Sequence, residues 1–560
     1  MSSFPLAAAA LLASLHSPLH ADDLPTLSRD FWSWRAASQP TNRDDIPRLV
    51  RPRGWRPDWS AKAVAARREA LLALRERWRR LADESRPVAY QVDHRLVGSA
   101  LARVRWELDL NRPWRRDPGF YVDQTLGVLV EALLAPPPFS RQRSEDLVRL
   151  VASIPGTLED ARANLDEGTA PFARLAVEDL KGIGPRLRTA TDALTPLVWA
   201  DSRNALRRGI EGAISALDSY RGWLEGRLPS FVKETAVGRE AYLFFLKEVA
   251  LIPYSPEELL AMGRQERDRA VSFEAYERQR NVGLAELPLF ADQAAQISRA
   301  VEDEKAIRSY LEKAGILTVP AWWKPYGYRA VPPYLDALAG FGEWTDFTSP
   351  ERLEESSSRT IPKPSPRLGY FALSMARDPR PDMIHEGIPG HAFQLALSWH
   401  HPDEIRRHYH DSGVNEGIGF YVEEMMLRMG FFDDAPKSRE MLASYMRLRA
   451  LRVEVDVRLA LGTFTIEQAA DYLKVNVPMD EGTARSEAAA FASIPGQAIG
   501  YQIGKLQILG FLAEARRRQG ERFTLRAFHD FLLENGNVPL SLQRWELLGQ
   551  KDDVETLDRR

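Results

Sequence analysis

The chain of 560 residues contains no cysteine. Disulfides, thiolate metal ligands and a cysteine nucleophile are therefore excluded. Any metal must be held by His, Asp or Glu. An excess of charge is also missing: Lys and Arg total 75 against 78 Asp and Glu, a net charge of −3. This leaves no bulk attraction to nucleic acid or to an anionic membrane. No segment has the long uncharged apolar run of a transmembrane helix. The apolar run Leu6–Leu15 has signal-peptide length, and Ala21 before Asp22 is a plausible cleavage point. It predicts a leader over 1–21 and a periplasmic or secreted protein, or a cytoplasmic one if the leader is kept. Strand-like alternation is scarce as well.

Helical periodicity is what the chain has in quantity. The hydrophobic fraction of 44% and charged fraction of 27% are globular values, and the length calls for several lobes or a large helical assembly. In "SAKAVAARREALLALRERWRRLADE", Ser60 is a candidate N-cap, and Val64, Leu71, Leu74, Trp78 and Leu81 fall on one helix face. Similar patterns occur around Pro256–Glu277, Lys437–Leu461 and Ala498–Arg518. The best strand candidate is "RLGYFALS", Arg367–Ser374. Trp32, Trp34, Trp55 and Trp59 are read as packing residues. The predicted division is an N-terminal helical lobe over 22–230, a catalytic helical region over 231–552 and a frayed tail over 553–560.

Six of the ten histidines, at 385, 391, 400, 401, 408 and 410, fall within one short stretch. The stretch "DMIHEGIPGHAFQ" almost spells H-E-x-x-H, a helical zinc signature in which two imidazoles one turn apart share a metal. Here His385 and His391 are six apart. On a straight helix that leaves the rings roughly 120° apart. Pro389 forbids a straight helix, because it offers no N–H to the His385 carbonyl and its ring clashes there. With Gly390 it predicts a widened turn that swings His391 back onto the face of His385. His400, His401, His408 and His410 are read as surface or loop residues.

A third ligand is expected from "GVNEGIGFYVEEMM". Glu416 and Glu423 lie seven apart on one otherwise apolar helix face, which is costly to bury unless they bind something. Glu416 is assigned as the third ligand and Glu423 as acceptor for a ligand histidine. The plainer alternative makes Glu416 a helix N-terminal acid, with Asn415 as N-cap. Two His and one Glu with an open position define a catalytic rather than a structural zinc site. By residue type alone Tyr501, in "IPGQAIGYQIGK", reads as a core tyrosine.

The motifs "HEGIPGHAFQ", "NEGIGFYVEE" and "PGQAIGYQIGK" closely resemble the C-terminal signatures of the bacterial domain of unknown function 885 family. "DFWSWRAASQP", "IPGTLEDARANL" and "VGREAYLFFLKEVALIPYSPEELLAMG" are similar to its N-terminal blocks. That family looks like a distant relative of helical gluzincin peptidases such as thimet oligopeptidase and angiotensin-converting enzyme. The resemblance implies a mostly α, two-lobed fold with a deep central channel and a minor β edge near the site. It implies one zinc, or another divalent metal, on His385, His391 and Glu416, with Glu386 as general base and Tyr501 as oxyanion donor. "RLGYFALS" would be the strand that aligns a peptide substrate. Tyr370, Gln497 and Lys505 are further candidate substrate contacts. Two positions depart from the family pattern: Ala460 stands where a His is frequent and Ala490 where an Arg is frequent.

The predicted function is a zinc-dependent hydrolase, a peptidase acting on short peptides. A catalytically inactive or binding-only member of the fold is the alternative, motivated by those two departures. From another class, "DLKGIGPRLRTA" resembles a helix-hairpin-helix turn in which Gly182 and Gly184 open backbone N–H groups to a phosphate and Arg186 and Arg188 add charge. The acidic balance and predicted export weigh against nucleic acid, and an ordinary inter-helix turn explains the segment better.

Overall fold

The structure is a computed structural model and describes residues 23–41, 49–342 and 344–559. The leader expected over 1–21 lies outside the described residues. Helix makes up 68% of the chain and strand 2%, so the protein is mostly α. No helix among the described residues is long and apolar enough to cross a membrane.

The periodic segments fold as their patterns require. Helix α1 spans Ala61–Arg80; Ser60 caps it by accepting from the Ala63 N–H, and Val64, Leu71 and Leu74 are buried. Helix α2, Pro256–Arg280, begins with a capping box between Ser255 and Glu258 and with proline in its first turn. After it come three short strands: β1 (Gly327–Ala330), β2 (Thr345–Asp346) and β3 (Ser358–Ile361). Strand β3 is central, parallel to β1 and antiparallel to β2.

"RLGYFALS" is not one of these strands. Its second half is a short helix, α3, Tyr370–Met375. Apolar alternation over so few residues fits either structure, and here Asp480 accepts from the Tyr370 N–H at 2.9 Å and holds the helix start. The expected role of this segment as a strand for substrate falls with it. The tail is not frayed either. Residues Asp552–Asp558 form a helix with Val554 buried, and Arg544 pairs with Asp552 at 2.9 Å and Asp553 at 3.0 Å.

Four helices frame the site: α4 (His391–His400), α5 (Ser412–Arg428), α6 (Pro436–Ala460) and α7 (Ile499–Gln519). Helix α6 is buried over most of its length and packs along α2. Helices α5 and α7 cross on glycine. A Cβ on Gly417 would lie 2.7 Å from the Gly504 Cα, and one on Gly504 would lie 2.2 Å from the Gly413 carbonyl oxygen. Bare backbone at these positions lets the two helices approach more closely than side chains would permit. The apolar core around the site includes Met383, Ile384, Phe393, Ile418, Phe420 and Tyr501. A second core, built mainly before residue 252, also takes in Ile405, Tyr409, Val538, Trp545 and Val554, and Trp32, Trp34 and Trp55 pack against it.

Candidate metal centre

The widened turn expected at Pro389–Gly390 is present. A π turn over Met383–Gly387 carries His385, and the Ile388 N–H reaches back to the Met383 carbonyl at 3.0 Å. The Ile388–Pro389 peptide is cis. A Cβ on Gly390 would sit 1.8 Å from the His385 carbonyl oxygen, so only glycine lets the chain fold back this tightly. Helix α4 then starts at His391. The imidazoles of His385 and His391 end 4.6 Å apart, at 79° to each other.

Glu416 completes the group. Its Oε2 is 3.4 Å from the Nε2 of His385 and 3.4 Å from the Nε2 of His391. One donor atom from each of the three lies within 4.8 Å of the others, and all three residues are buried. Asn415 is not the cap of α5. Asp411 is, accepting from the Val414 N–H at 3.0 Å, while Asn415 donates to Gln394 at 3.0 Å. Glu416 therefore sits beyond the first turn, where the helix dipole does little, and the helix N-terminal alternative loses its support.

Glu423 lies beside His385. Its Oε1 is 2.6 Å from the His385 Nδ1 and accepts from the Arg449 Nη2 at 2.9 Å. The Glu423 carboxylate is placed to accept a proton from Nδ1, with Nε2 facing Glu416.

The donor set fits a divalent metal. Two nitrogens and a carboxylate oxygen converge in a buried pocket whose floor is backbone: a Cβ on Gly419 would lie 2.8 Å from the His391 Cε1 and 3.0 Å from the His385 Nε2. The pocket also favours positive charge. Burial pushes the His385 imidazole down, but its bonds to Glu416 and Glu423 outweigh this and raise its pKa to about 9.

Around this group lies a cavity of about 270 Å³ lined by the three residues with Glu386, Tyr501 and Gln497. Burial pushes the Glu386 carboxyl up, but Arg359, His391 and His385 hold it below the ordinary carboxylate value. The Arg359 Nη1 is 2.8 Å from the Glu386 Oε1. Tyr501 lies parallel to the His385 ring at 6.2 Å, and the Arg452 guanidinium covers its other neighbourhood at 4.4 Å from the ring centroid. Arg452 is itself fixed by two bonds to Glu487, at 2.8 and 2.7 Å.

Two candidate substrate contacts are elsewhere. The Tyr370 hydroxyl pairs with Ser444 at 2.7 Å; its neighbour Phe371 is the residue that lines the cavity. Lys505 is buried against α2 and α5, with Nζ at 3.3 Å from Glu266 and 2.8 Å from Glu424. Of the two departures, Ala490 lines the cavity and Ala460 packs in the core with Tyr242 and Val457. His400 is exposed and stacks on Trp322 at 4.5 Å. A larger cavity of about 530 Å³, against Trp32, Arg103 and His408, contains none of the expected site residues, so size alone does not select the site. Arg186 bonds the Ala337 carbonyl at 3.0 Å and Arg188 pairs with Glu211 at 2.7 Å, so both arginines of the Gly182–Gly184 turn serve the fold itself.

Arg359, Asp382, Arg449 and Arg452 were not foreseen. Arg449 and Arg452 are two of several charges on α6, and only their burial sets them apart. Arg359 had no readable signal either, because its place beside Glu386 is set by strand pairing.

Fold and site together define a mostly helical protein with a buried two-histidine, one-glutamate group. The sequence profile of the bacterial proteins of unknown function called DUF885 matches residues 51–314 and 364–547, and the chain belongs to that family. No curated protein matches it. Among solved structures, a candidate lipoprotein of unknown function from Shewanella oneidensis is similar at 17% identity and TM-score 0.70, covering 95% of this chain and 100% of that one. Another from Colwellia psychrerythraea is similar at 16% identity and TM-score 0.72, covering 99% and 100%.

Proposed function

We propose that this protein is a metal-dependent hydrolase, with zinc as the metal and short peptides as substrate. The observation that carries the reading is the convergence of His385, His391 and Glu416 within 4.8 Å in the cavity that Glu386 also lines. A divalent ion held by these three residues supplies Lewis acidity toward water and the scissile carbonyl. Glu386 takes the proton of the attacking water and returns it to the leaving amine. Tyr501 donates its hydroxyl proton in a hydrogen bond to the oxyanion as charge develops there. Glu423 keeps His385 oriented, and Gln497 faces the substrate. Manganese or iron fits the same donors, since nitrogen and carboxylate ligands select weakly among divalent metals. The apolar Leu6–Leu15 run and the lipoprotein descriptions of the two structural neighbours support an extracytoplasmic location.

The test is a peptide-library digest with the metal-loaded chain, with and without chelator. Cleavage that stops on chelation and returns with metal is expected. Glu386→Gln should bind metal at the same stoichiometry and lose at least about 100-fold in kcat, the usual weight of a general base. Full activity in that variant would remove Glu386 as the base, and a loaded protein that cleaves nothing would remove the hydrolase assignment and leave a metal-binding protein without turnover.

A further inference from the structure

We propose that Arg359 is the positioning residue for Glu386, and that the small sheet exists to deliver it. This rests on the hydrolase reading above. The parallel register of β1 and β3 sets Tyr328 beside Arg359. Side-by-side residues in a pleated pair point to the same face. Below them stand Asp382, which caps the turn that carries His385, and Glu386, four residues on within it. The Tyr328 hydroxyl donates to the Asp382 Oδ2 at 2.6 Å. Arg359 lies 3.4 Å from the Asp382 Oδ1 and 2.8 Å from the Glu386 Oε1. Two neighbouring strand side chains therefore grip two acids one turn apart. The residue that leads into β1 is also packed on that turn: a Cβ on Gly387 would lie 2.5 Å from the Tyr326 ring.

The grip has a chemical use. A glutamate on a turn has three side-chain torsions, and freezing them costs conformational entropy. Arg359 makes that selection before substrate arrives. It engages Oε1, and the carboxylate so oriented is the group that takes the water proton. A base must be within hydrogen-bond reach of the proton it takes, and misplacing it by about 1 Å costs on the order of 100-fold in rate. Strand β3 already has a strand partner on each side, so no further strand can pair with it.

The experiment uses the full chain loaded with metal and a peptide found in the digest. Arg359→Ala is expected to lower kcat about 100-fold, keep KM within about twofold, and keep metal stoichiometry. Arg359→Lys should recover part of the loss, since an ammonium can still pair with one carboxylate oxygen but lacks the planar fork. In a Glu386→Gln background Arg359→Ala should cost nothing further, because a residue that acts through another is silent once the other is gone. A raised KM with kcat preserved would make Arg359 a substrate contact and overturn the proposal. An additive loss in the double variant would overturn it too. If the loaded wild type cleaves no peptide, the hydrolase reading fails on its own. The grip is then read in the metal-free protein by melting: the double variant should melt no lower than the less stable single variant, and fully additive shifts would overturn it.

Discussion

Gly419 shows how tightly the His385–His391–Glu416 group is specified. It lies on α5 between Glu416 and Glu423, and the two imidazoles pack on its bare backbone. An alanine there would favour the helix by about 1 kcal/mol. Its methyl would nevertheless occupy the space in which the His385 Cε1 sits 2.9 Å from the Cβ position. Gly419→Ala should therefore keep the metal-free fold and weaken metal binding on the order of 10- to 100-fold, the range seen when ligand orientation is disturbed. Metal titration beside a metal-free melt checks this; unchanged affinity would mean that the rings are not fixed against the backbone. The residues of this group were legible because their chemistry is local. Pro389 and Gly390 limit what the backbone can do, and Glu416 with Glu423 are acids that an apolar face does not otherwise tolerate. Arg359 was illegible for the opposite reason, since no local pattern links it to a turn more than twenty residues away.

The helix pair α5 and α7 converts glycine spacing into site geometry. Gly413, Gly417, Gly500 and Gly504 form the crossing, and Tyr501 leaves α7 from inside it to lie along His385. Gly504→Ala would put a methyl 2.2 Å from the Gly413 carbonyl oxygen. The helices would have to separate, at the roughly 1–3 kcal/mol typical of overpacking, and Tyr501 would move off His385. A lower melting temperature together with a lower kcat is expected. Gly510, on the same helix, has nothing within 4 Å of a Cβ position. Gly510→Ala should be neutral or stabilising, and equal losses in both variants would show that helix propensity, not the crossing, is at work. The periodic patterns predicted α1, α2, α6 and α7 because each buries a long stripe. They did not predict the close crossing, whose glycines look like weak points in a helix until the partner is known. They misread "RLGYFALS" because eight residues do not separate a period of two from a period of 3.6.

Asp456 ties distant parts of the chain to the site. From α6 it accepts the Tyr242 hydroxyl at 2.8 Å, the Gly496 N–H at 2.9 Å and the Ala498 N–H at 2.9 Å. It thereby joins an early helix to the loop that carries Gln497 and starts α7. Burial pushes its carboxyl up, and although these bonds pull the other way its pKa remains at about 7. An aspartate in an unfolded chain titrates near about 3.9. Between about pH 4 and 7 the folded protein keeps a proton that the unfolded chain has released. The folded state binds more protons across that window, so Asp456 makes stability fall as pH rises through it, with the loss complete above about 7. Asp456→Asn removes the titration, at a cost independent of pH because its amide nitrogen cannot accept the bonds that one carboxylate oxygen takes. Denaturant midpoints at pH 5, 6.5 and 8 should therefore show the wild type losing stability relative to Asp456→Asn as pH rises, with most of the relative change below pH 7. Parallel profiles would mean that the three hydrogen bonds already hold Asp456 ionised throughout, and that the junction between α6 and α7 is indifferent to pH.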